Sequence, residues 1–310
     1  MEIILMLLLA LTIDLALGDP PNAIHPVAWM GRVAAFLERR CTSQSHAVQF
    51  LWGAGIAIIT VGLFAVPVYF LLFYVKSLSA VAYIVAGGLL LKSTFSLRGL
   101  RQAALGVKRL LLEDKVDEAR FELRSLVSRE TKDLPGPLLV SATVESVAEN
   151  ASDSFVAPLF YFLLLGVPGA MAYRVVNTLD AMIGYHGKYE HLGKFSARLD
   201  DVLNFIPARL TAVLLVFGTF LSRRSGRMAW RLALADHART ESPNAGWPMA
   251  AIAGALSVQL EKVGHYRLGQ VTTPLVPGTI DASLEVVQKS MLVWVLICFV
   301  VGGVQIALAA

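Results

Sequence analysis

The chain has 310 residues, 56% of them hydrophobic and only 16% charged, with a formal net charge of +4. A soluble domain carries about 25% charged residues, so the composition excludes an ordinary soluble enzyme and predicts a membrane protein. The 27 basic residues are interspersed with 23 acidic ones, which excludes the one-sided basic face of a nucleic-acid binder and fits basic loops beside membrane helices. Cys41 and Cys298 lie far apart, so neither a disulfide framework nor a thiolate metal site follows.

Residues 2–17 predict a short apolar helix, stopped at Gly18-Asp19-Pro20-Pro21 because two prolines forbid its continuation. Glu2 and Asp14, with no basic residue before the apolar run, predict a retained helix rather than a cleaved signal peptide. A loop, NAIHPVAWMGR, follows, with His25 held extended by Pro26, and residues 33–40 predict a short helix. Residues 50–75 carry no formal charge, and about 20 apolar residues suffice to cross the hydrocarbon. Gly53, Gly55 and Gly62 offer a close-packing face there, and Pro67 a kink. Residues 76–79 turn the chain, and residues 80–91, continuing toward Leu97, form the second arm of a transmembrane hairpin.

Residues 98–134 are the most polar part. Val107, Leu110, Leu111, Ala119, Leu123, Leu126 and Val127 fall near helical spacing and predict one or two amphipathic helices on a membrane surface or between domains. Helix is predicted again over 138–153. The apolar segment 155–167 is short for a span and predicts a re-entrant element closed by Gly166, Pro168 and Gly169. A helix over 173–185, the Gly-rich loop GYHGKYEHLGKF, and helices over 196–204 and 205–221 follow. Arg223, Arg224, Arg227 and Arg231 mark a cytoplasmic side. A short helix over 249–258, a loop over 264–284 and a final span over 290–309 complete the chain. The fold class is therefore all-α, a polytopic membrane protein of about four to five membrane helices with amphipathic and re-entrant helices. Because 98–132 and 223–231 both favour the cytoplasm, two passes or none lie between them: either 155–167 and 205–221 both span and 170–204 face the other side, or, as favoured here, neither spans fully and the polar clusters meet on one face.

Charges beside lipid-grade sequence are expensive and mark candidate sites. Glu145, Glu149 and Asp153 recur at i, i+4, i+8 and predict one acidic helix face, with Asn150 beside it. Stacked acids repel, so a cation must compensate: Mg²⁺, a cationic substrate or the arginines downstream. A solvated acidic face is the plain alternative. Arg174, Asn177 and Asp180 share a broad helical face, and Arg198, Asp200, Asp201, Asn204 and Arg209 repeat the mixture. Arginine suits phosphate or carboxylate by its planar fork; structural ion pairs inside a bundle are the alternative. Asp14 inside an apolar helix, and Asp19 and His25 in the first loop, add to the set. Ser242 and Asn244 lie in a polar turn that turn chemistry alone would explain. The constellation has no activated Ser, Cys or metal-binding His signature. Phosphate and Mg²⁺ handling fits it, and so does a transporter pocket of paired charges.

The segments LGDPPNAIHPVAWMGR, SRET, ESVAENASDSFVAPLFY, YRVVNTLDAMIGY, ARLDDVLNFIPAR and SPNAGWPMAAIAGAL occur in this order, from the first helix to about residue 258. Together they resemble the adenosylcobinamide-phosphate synthase family of cobalamin biosynthesis, CbiB or CobD. Ser154 stands where the family pattern carries glycine, Ser128 and Glu130 vary a VGRDT-like segment, and QLEKVGHYRLGQ departs from a Gly-rich version, so no role is carried over to 259–270.

The resemblance implies one membrane-embedded amide-ligase domain over 1–310, with its site region at about 141–209 completed by 14–32 and 236–248. It implies a multi-pass protein of the cytoplasmic (inner) membrane whose site faces the cytoplasm. The implied reaction joins adenosylcobyric acid to (R)-1-amino-2-propanol O-phosphate with ATP and Mg²⁺. Glu149 and Asp153 would hold Mg²⁺–ATP, and Glu145 or Asp201 would be the general base. Arg174, Arg198 and Arg209 would clamp phosphates, and Asn150, Asn177 and Asn204 would orient amides or the carboxylate. Asp180 joins the catalytic set; Asp14, Asp19, His25, Arg129, Asp200, Ser242 and Asn244 join the binding set. The implied partners are the corrinoid, the aminopropanol phosphate and the lipid bilayer, with no nucleic acid; a homo-oligomer or a complex with later corrinoid-assembly enzymes is compatible. A non-catalytic AmpE-like membrane sensor and a small-solute transporter are the competing readings, although the repeated broken helices of a transporter are not visible.

Overall fold

The computed structural model describes residues 1–127, 129–185, 187 and 189–309; Ser128 of SRET and His186 and Lys188 of the Gly-rich loop lie outside them. Among the described residues there are twelve α-helices and one β-hairpin. The helices are α1 (Glu2–Ala16), α2 (Pro26–Glu38), α3 (His46–Leu78), α4 (Ala80–Lys92), α5 (Leu97–Leu112), α6 (Val116–Leu123) and α7 (Gly136–Ala151). They continue with α8 (Ala157–Ile183), α9 (Lys194–Leu221), α10 (Gly226–Asp236), α11 (Gly246–Leu256) and α12 (Pro277–Ala309). A π-helical turn, Ser152–Val156, follows α7, and β1 (Gln259–Lys262) pairs antiparallel with β2 (Tyr266–Gly269) ahead of α12.

Five stretches are long and apolar enough to cross a membrane: His46–Leu78, Ala80–Leu112, Gly136–Ile183, Lys194–Leu221 and Pro277–Leu308. The chain is an all-α, multi-pass membrane protein by that pattern. Two of the stretches are interrupted: residues 93–96 separate α4 from α5, and Gly166 breaks α8.

The chain forms two compact units. The first comprises Met1–Ser96, Ala157–Leu203 and Cys298–Ala310, the second Leu97–Val156 and Asn204–Ile297. In the first unit, α1 packs on α4 at Gly87 and Gly88, where a Cβ would run into the side chains of Met6 and Leu9. α3 comes so close to the Gly-rich loop that a Cβ on Gly53 would overlap the Leu192 carbonyl, whereas Gly55 and Gly62 face open space. Only one of the three glycines expected to pack closely therefore does so. The expected loop NAIHPVAWMGR is mostly helix: His25 is an extended N-cap whose Nδ1 accepts the Val27 N–H at 3.1 Å, and Pro26 takes the first helical position.

The closure expected at Gly166, Pro168 and Gly169 falls on Gly166. Gly166 has φ 68° and ψ −165°, a backbone state open essentially to glycine alone. The Tyr161 and Tyr173 rings stack with centroids 5.2 Å apart, where a straight helix would separate them by about 18 Å. A Cβ on Gly169 would come within 2.9 Å of the Tyr161 carbonyl oxygen. The two halves of α8 thus form a tight helical hairpin. Gln305 donates to the Leu163 carbonyl at 3.0 Å, satisfying an acceptor in the last turn before the break.

Residues 205–221 differ from expectation. They belong to α9, a single 28-residue helix long and apolar enough to span. Pro207 sits inside it and cannot donate to the carbonyl four residues back. That carbonyl, on Leu203, accepts the Tyr161 hydroxyl at 2.9 Å instead, so the helix continues without an orphaned acceptor.

In the second unit, α5 and α6 close on α7 through Val107, Leu110, Ala119, Leu123, Leu139 and Ala142, with Leu111, Leu126 and Val127 partly buried around them. The amphipathic stripe of 98–134 is therefore a core face. The segment 264–284, expected as loop, holds β2 and the first turns of α12.

Candidate functional site

The first unit encloses an open pocket of about 630 Å³ lined by the first loop, the 93–96 turn and α8, with Asp19, His25, Arg32, Ser96 and Arg174 among its residues. Local chemistry places each group. Gly18, at φ 77°, ends α1 with its N–H on the carbonyls of Ile13 and Asp14, which delivers Asp19 into the loop. Lys92 ends α4 and is buried. Its ammonium donates to Asp19 Oδ1 at 2.6 Å and to the Phe95 carbonyl at 3.1 Å, and it forms an ion pair with Asp14 Oδ1 at 3.0 Å. Ser96 Oγ donates to Asp19 Oδ2, and His25 Nε2 lies 3.9 Å from Asp19 Oδ1. Burial alone would raise the Asp19 pKa; hydrogen bonds from His25, Lys92 and Ser96, with the Lys92 charge, outweigh it and hold the carboxyl well below the usual range. Because His25 Nδ1 is used as a helix cap, its ring proton stays on Nε2, on the Asp19 side.

Arg174, half-buried, lines the same pocket and donates to Asn177 Oδ1 at 3.2 Å, the i, i+3 pairing its spacing predicts. Asp180, one turn before the end of α8, crowds Gly184 so closely that a Cβ there would collide with it. Arg198 Nη1 lies 3.8 Å from Asp201 Oδ2, with the arginine 75% and the aspartate 26% exposed. Asp200, its neighbour, is buried. The first unit thus brings Asp14, Asp19, His25 and Arg174 into one charged neighbourhood, and leaves Arg198 and Asp201 as a surface pair.

In the second unit Glu145 is a hub, 4% exposed. Ser141 Oγ donates to its Oε1 at 2.6 Å, and the Tyr266 hydroxyl and Arg129 Nη2 donate to Oε2 at 2.8 and 3.2 Å. Ser141 Oγ also accepts the Glu261 N–H at 2.8 Å, which ties β1 to α7. Burial raises the Tyr266 phenol well above its usual range, and the carboxylates of Glu145 and Glu149 raise it further. The expected acidic stripe is therefore divided. Glu145 is sealed in a structural network, while Glu149, Asn150 and Asp153 are half-buried, and the π turn that begins at Ser152 adds a residue to the helical register. Asn150 donates to the Ser146 carbonyl at 3.0 Å and accepts from Ser154 Oγ at 2.9 Å.

Arg209 donates to Asn244 Oδ1 at 3.2 Å, stands 3.6 Å over the Phe205 ring and lies 5.0 Å from the Trp247 ring, on which His237 stacks at 3.9 Å. Asn204 is buried nearby in sequence. Ser242 Oγ accepts the N–H groups of Asn244 and Ala245 at 3.2 and 3.4 Å, so its visible role is the turn that opens α11. Among the described residues, no three His, Cys, Asp or Glu side chains form a metal cage. Glu149 and Asp153, two half-buried carboxylates, match instead the one or two carboxylates with which Mg²⁺ is held when phosphates and water complete its shell.

Lys92, Arg32 and Tyr266 were not singled out by sequence reasoning as site residues. Lys92 carried a signal, since a lysine ending an apolar helix needs a counter-ion and Asp14 was already conspicuous. Tyr266 had none, because its partner lies 121 residues away.

The family model described as CobD/Cbib protein matches residues 7–293. The chain is 57% identical over 297 residues to the cobalamin biosynthesis protein CobD of Dehalococcoides mccartyi, covering 96% of each chain. It is 42% identical to the probable cobalamin biosynthesis protein CobD of Methanothermobacter thermautotrophicus, covering 97% of this chain and 98% of that one. It is 36% identical to the cobalamin biosynthesis protein CobD of Klebsiella pneumoniae, covering 91% and 90%. No solved structure matches. A match that runs through both compact units, with the pocket residues of the first loop inside it, makes the chain a member of the CobD/CbiB family of cobalamin biosynthesis.

Proposed function

We propose that this chain is an ATP- and Mg²⁺-dependent amide ligase of the inner membrane, its site facing the cytoplasm, which joins adenosylcobyric acid to (R)-1-amino-2-propanol O-phosphate. One observation carries the reading: in a member of this family, an ionised carboxylate shares an open pocket with two guanidinium groups. Such a pocket handles charged, phosphate-bearing ligands rather than a nucleophile-driven hydrolysis.

In the proposed reaction a carboxylate oxygen of the corrinoid attacks the γ-phosphorus of ATP, forming an acyl phosphate and releasing ADP. The amine nitrogen then bonds to the acyl carbon, the carbon–oxygen bond to phosphate breaks, and inorganic phosphate leaves. The surplus proton on nitrogen passes to a carboxylate base. Glu145 accepts three hydrogen bonds already, so Asp201, partly exposed beside Arg198, is the better base and Glu145 a positioning residue. Arg174, Arg198 and Arg209 would clamp phosphates and neutralise developing charge. Asn150, Asn177 and Asn204 would orient amide or carboxyl groups. Glu149 and Asp153 would hold Mg²⁺, which when bound neutralises phosphate charge and makes the γ-phosphorus a better electrophile.

Asp153→Asn, Asp201→Asn and Arg198→Ala, assayed for ligation in detergent-solubilised protein, are each expected to lose at least about 100-fold in kcat/KM. Near wild-type rates in all three would remove these roles. Failure of the wild type to couple ATP consumption to the amine acceptor would remove the ligase itself.

A further inference from the structure

The outward face of α2, in the first unit, carries a pattern that amide ligation does not use. Inward, α2 buries Met30 and Ala34 and packs Gly31 on α8, where a Cβ would stand 3.3 Å from Met182 Sδ. At 3.6 residues per turn, Trp29, Arg32, Phe36 and the C-cap Arg39 gather outward within an arc of about 80°. All four are exposed, Trp29 by 43% and Phe36 by 56%. Glu38, the one acid of α2, falls on the other side of the helix. Arg40 follows, its guanidinium 4.6 Å over the Phe36 ring. Arg32, Ala35, Phe36, Arg39 and Arg40 line an open hollow of about 310 Å³. Three guanidinium groups and an exposed ring in one lining suit an anion that brings apolar surface with it.

Trp52 fixes the level at which this face lies. Its Nε1 donates to the Leu37 carbonyl at 3.0 Å. Trp52 stands at the start of the charge-free run 50–75 of α3, which is long and apolar enough to cross the bilayer. The end of α2 therefore meets α3 where hydrocarbon gives way to headgroups, the level favoured by tryptophan rings and by arginines that extend toward water. The Trp29 indole N–H donates to the Ala23 carbonyl at 2.9 Å, so covering its ring with lipid orphans no donor. We infer that this face of α2 binds an anionic phospholipid: Arg32, Arg39 and Arg40 take the headgroup phosphate, and Trp29 and Phe36 lie against the upper acyl chain. A soluble phosphate would leave both rings in water. A zwitterionic lipid would bring its own cation to an arginine cluster.

Native mass spectrometry of the full chain, released from micelles titrated with phosphatidylglycerol or phosphatidylcholine, gives an apparent Kd for each lipid. Arg39→Gln with Arg40→Gln is expected to weaken phosphatidylglycerol roughly 10- to 30-fold and to leave phosphatidylcholine unchanged. Arg32 is kept intact because it also lines the pocket of Asp19. Arg39→Lys with Arg40→Lys recovers part of the loss, and Phe36→Ala weakens phosphatidylglycerol roughly 5-fold. Arg227→Gln with Arg231→Gln, exposed on α10, makes the same change of net charge and leaves the tightest-bound lipid in place. Melting temperatures show that each variant is folded. An equal loss in the α10 pair, or phosphatidylcholine held as tightly as phosphatidylglycerol, overturns the assignment. So does displacement of the lipid by inorganic phosphate at matching concentration, which would make the hollow a site for a soluble anion.

Discussion

Lys92 Nζ stands 2.6 Å from Asp19 Oδ1, on a side chain only 4% exposed. It also faces Asp14, 1% exposed, at 3.0 Å. One buried cation thus holds the end of α1 and the start of the first loop in place.

Lys92→Met is expected to destabilise the protein by about 3–5 kcal/mol, because it removes the cation from two carboxylates and leaves them buried or half-buried. The double variant Lys92→Met with Asp14→Asn should recover part of this. Melting in detergent measures both, and a single variant that melts like wild type would show that the cluster contributes nothing.

Asp19 gives a signed pH dependence. Its native carboxyl lies below the usual range, against an unfolded value of about 3.9. The stability it adds is complete above the unfolded value and disappears as pH falls through the native one. The melting-temperature gap between wild type and Asp19→Asn should be constant above about pH 5 and close progressively below about pH 4. A gap that varies near neutrality would assign the titration to another group.

Glu145→Gln keeps the shape of the hub but removes the charge that Arg129 and Tyr266 address. It should cost about 1.5–3 kcal/mol. Tyr266→Phe should cost about as much and loosen the hairpin, seen as faster amide exchange in β1 and β2. Unchanged exchange in both variants would show that the hairpin is held by other contacts.

The glycines separate cleanly. Gly166→Ala forces a side chain into a backbone state reserved for glycine and should cost about 1–3 kcal/mol. Gly55→Ala and Gly62→Ala, which meet nothing within 4 Å, should be neutral or gain up to about 1 kcal/mol of helix propensity. Tyr161→Phe should cost about 1–3 kcal/mol by orphaning the carbonyl that Pro207 cannot serve. Thermal melting of the four variants side by side reads the order directly.

The apolar runs that build α3, α4 and the last turns of α12 were legible because length and hydropathy alone specify them. The start of α12 was not, since Asp281, Glu285 and Lys289 give its first half a polar reading until Lys108 and Leu221 are seen to engage Asp281 and Lys289. The four-residue strands QLEK and YRLG are too short to announce themselves, and their anchor, Ser141, is 120 residues from Glu261. At the candidate site the residue types were legible and the pairings were not. The i, i+3 link from Arg174 to Asn177 follows from helical spacing. The acidic stripe is divided by a π turn, which is invisible to a 3.6-residue period, and Glu145 has a cation from upstream, Arg129, beside it.

Separation along the chain also sets an order of assembly. The hairpin at Gly166 closes on contacts a dozen residues apart, which chains find in well under a microsecond. Lys92 is 73 residues beyond Asp19, so during synthesis the first helix emerges with its acidic residues long before their cation exists. An apolar helix with an ionised aspartate settles poorly into lipid alone. Its stable partner is α4, joined to it by both Lys92 and the close approach at Gly87 and Gly88. The first helix is thus expected to become stable only once α4 lies beside it, through the contacts at Lys92, Gly87 and Gly88.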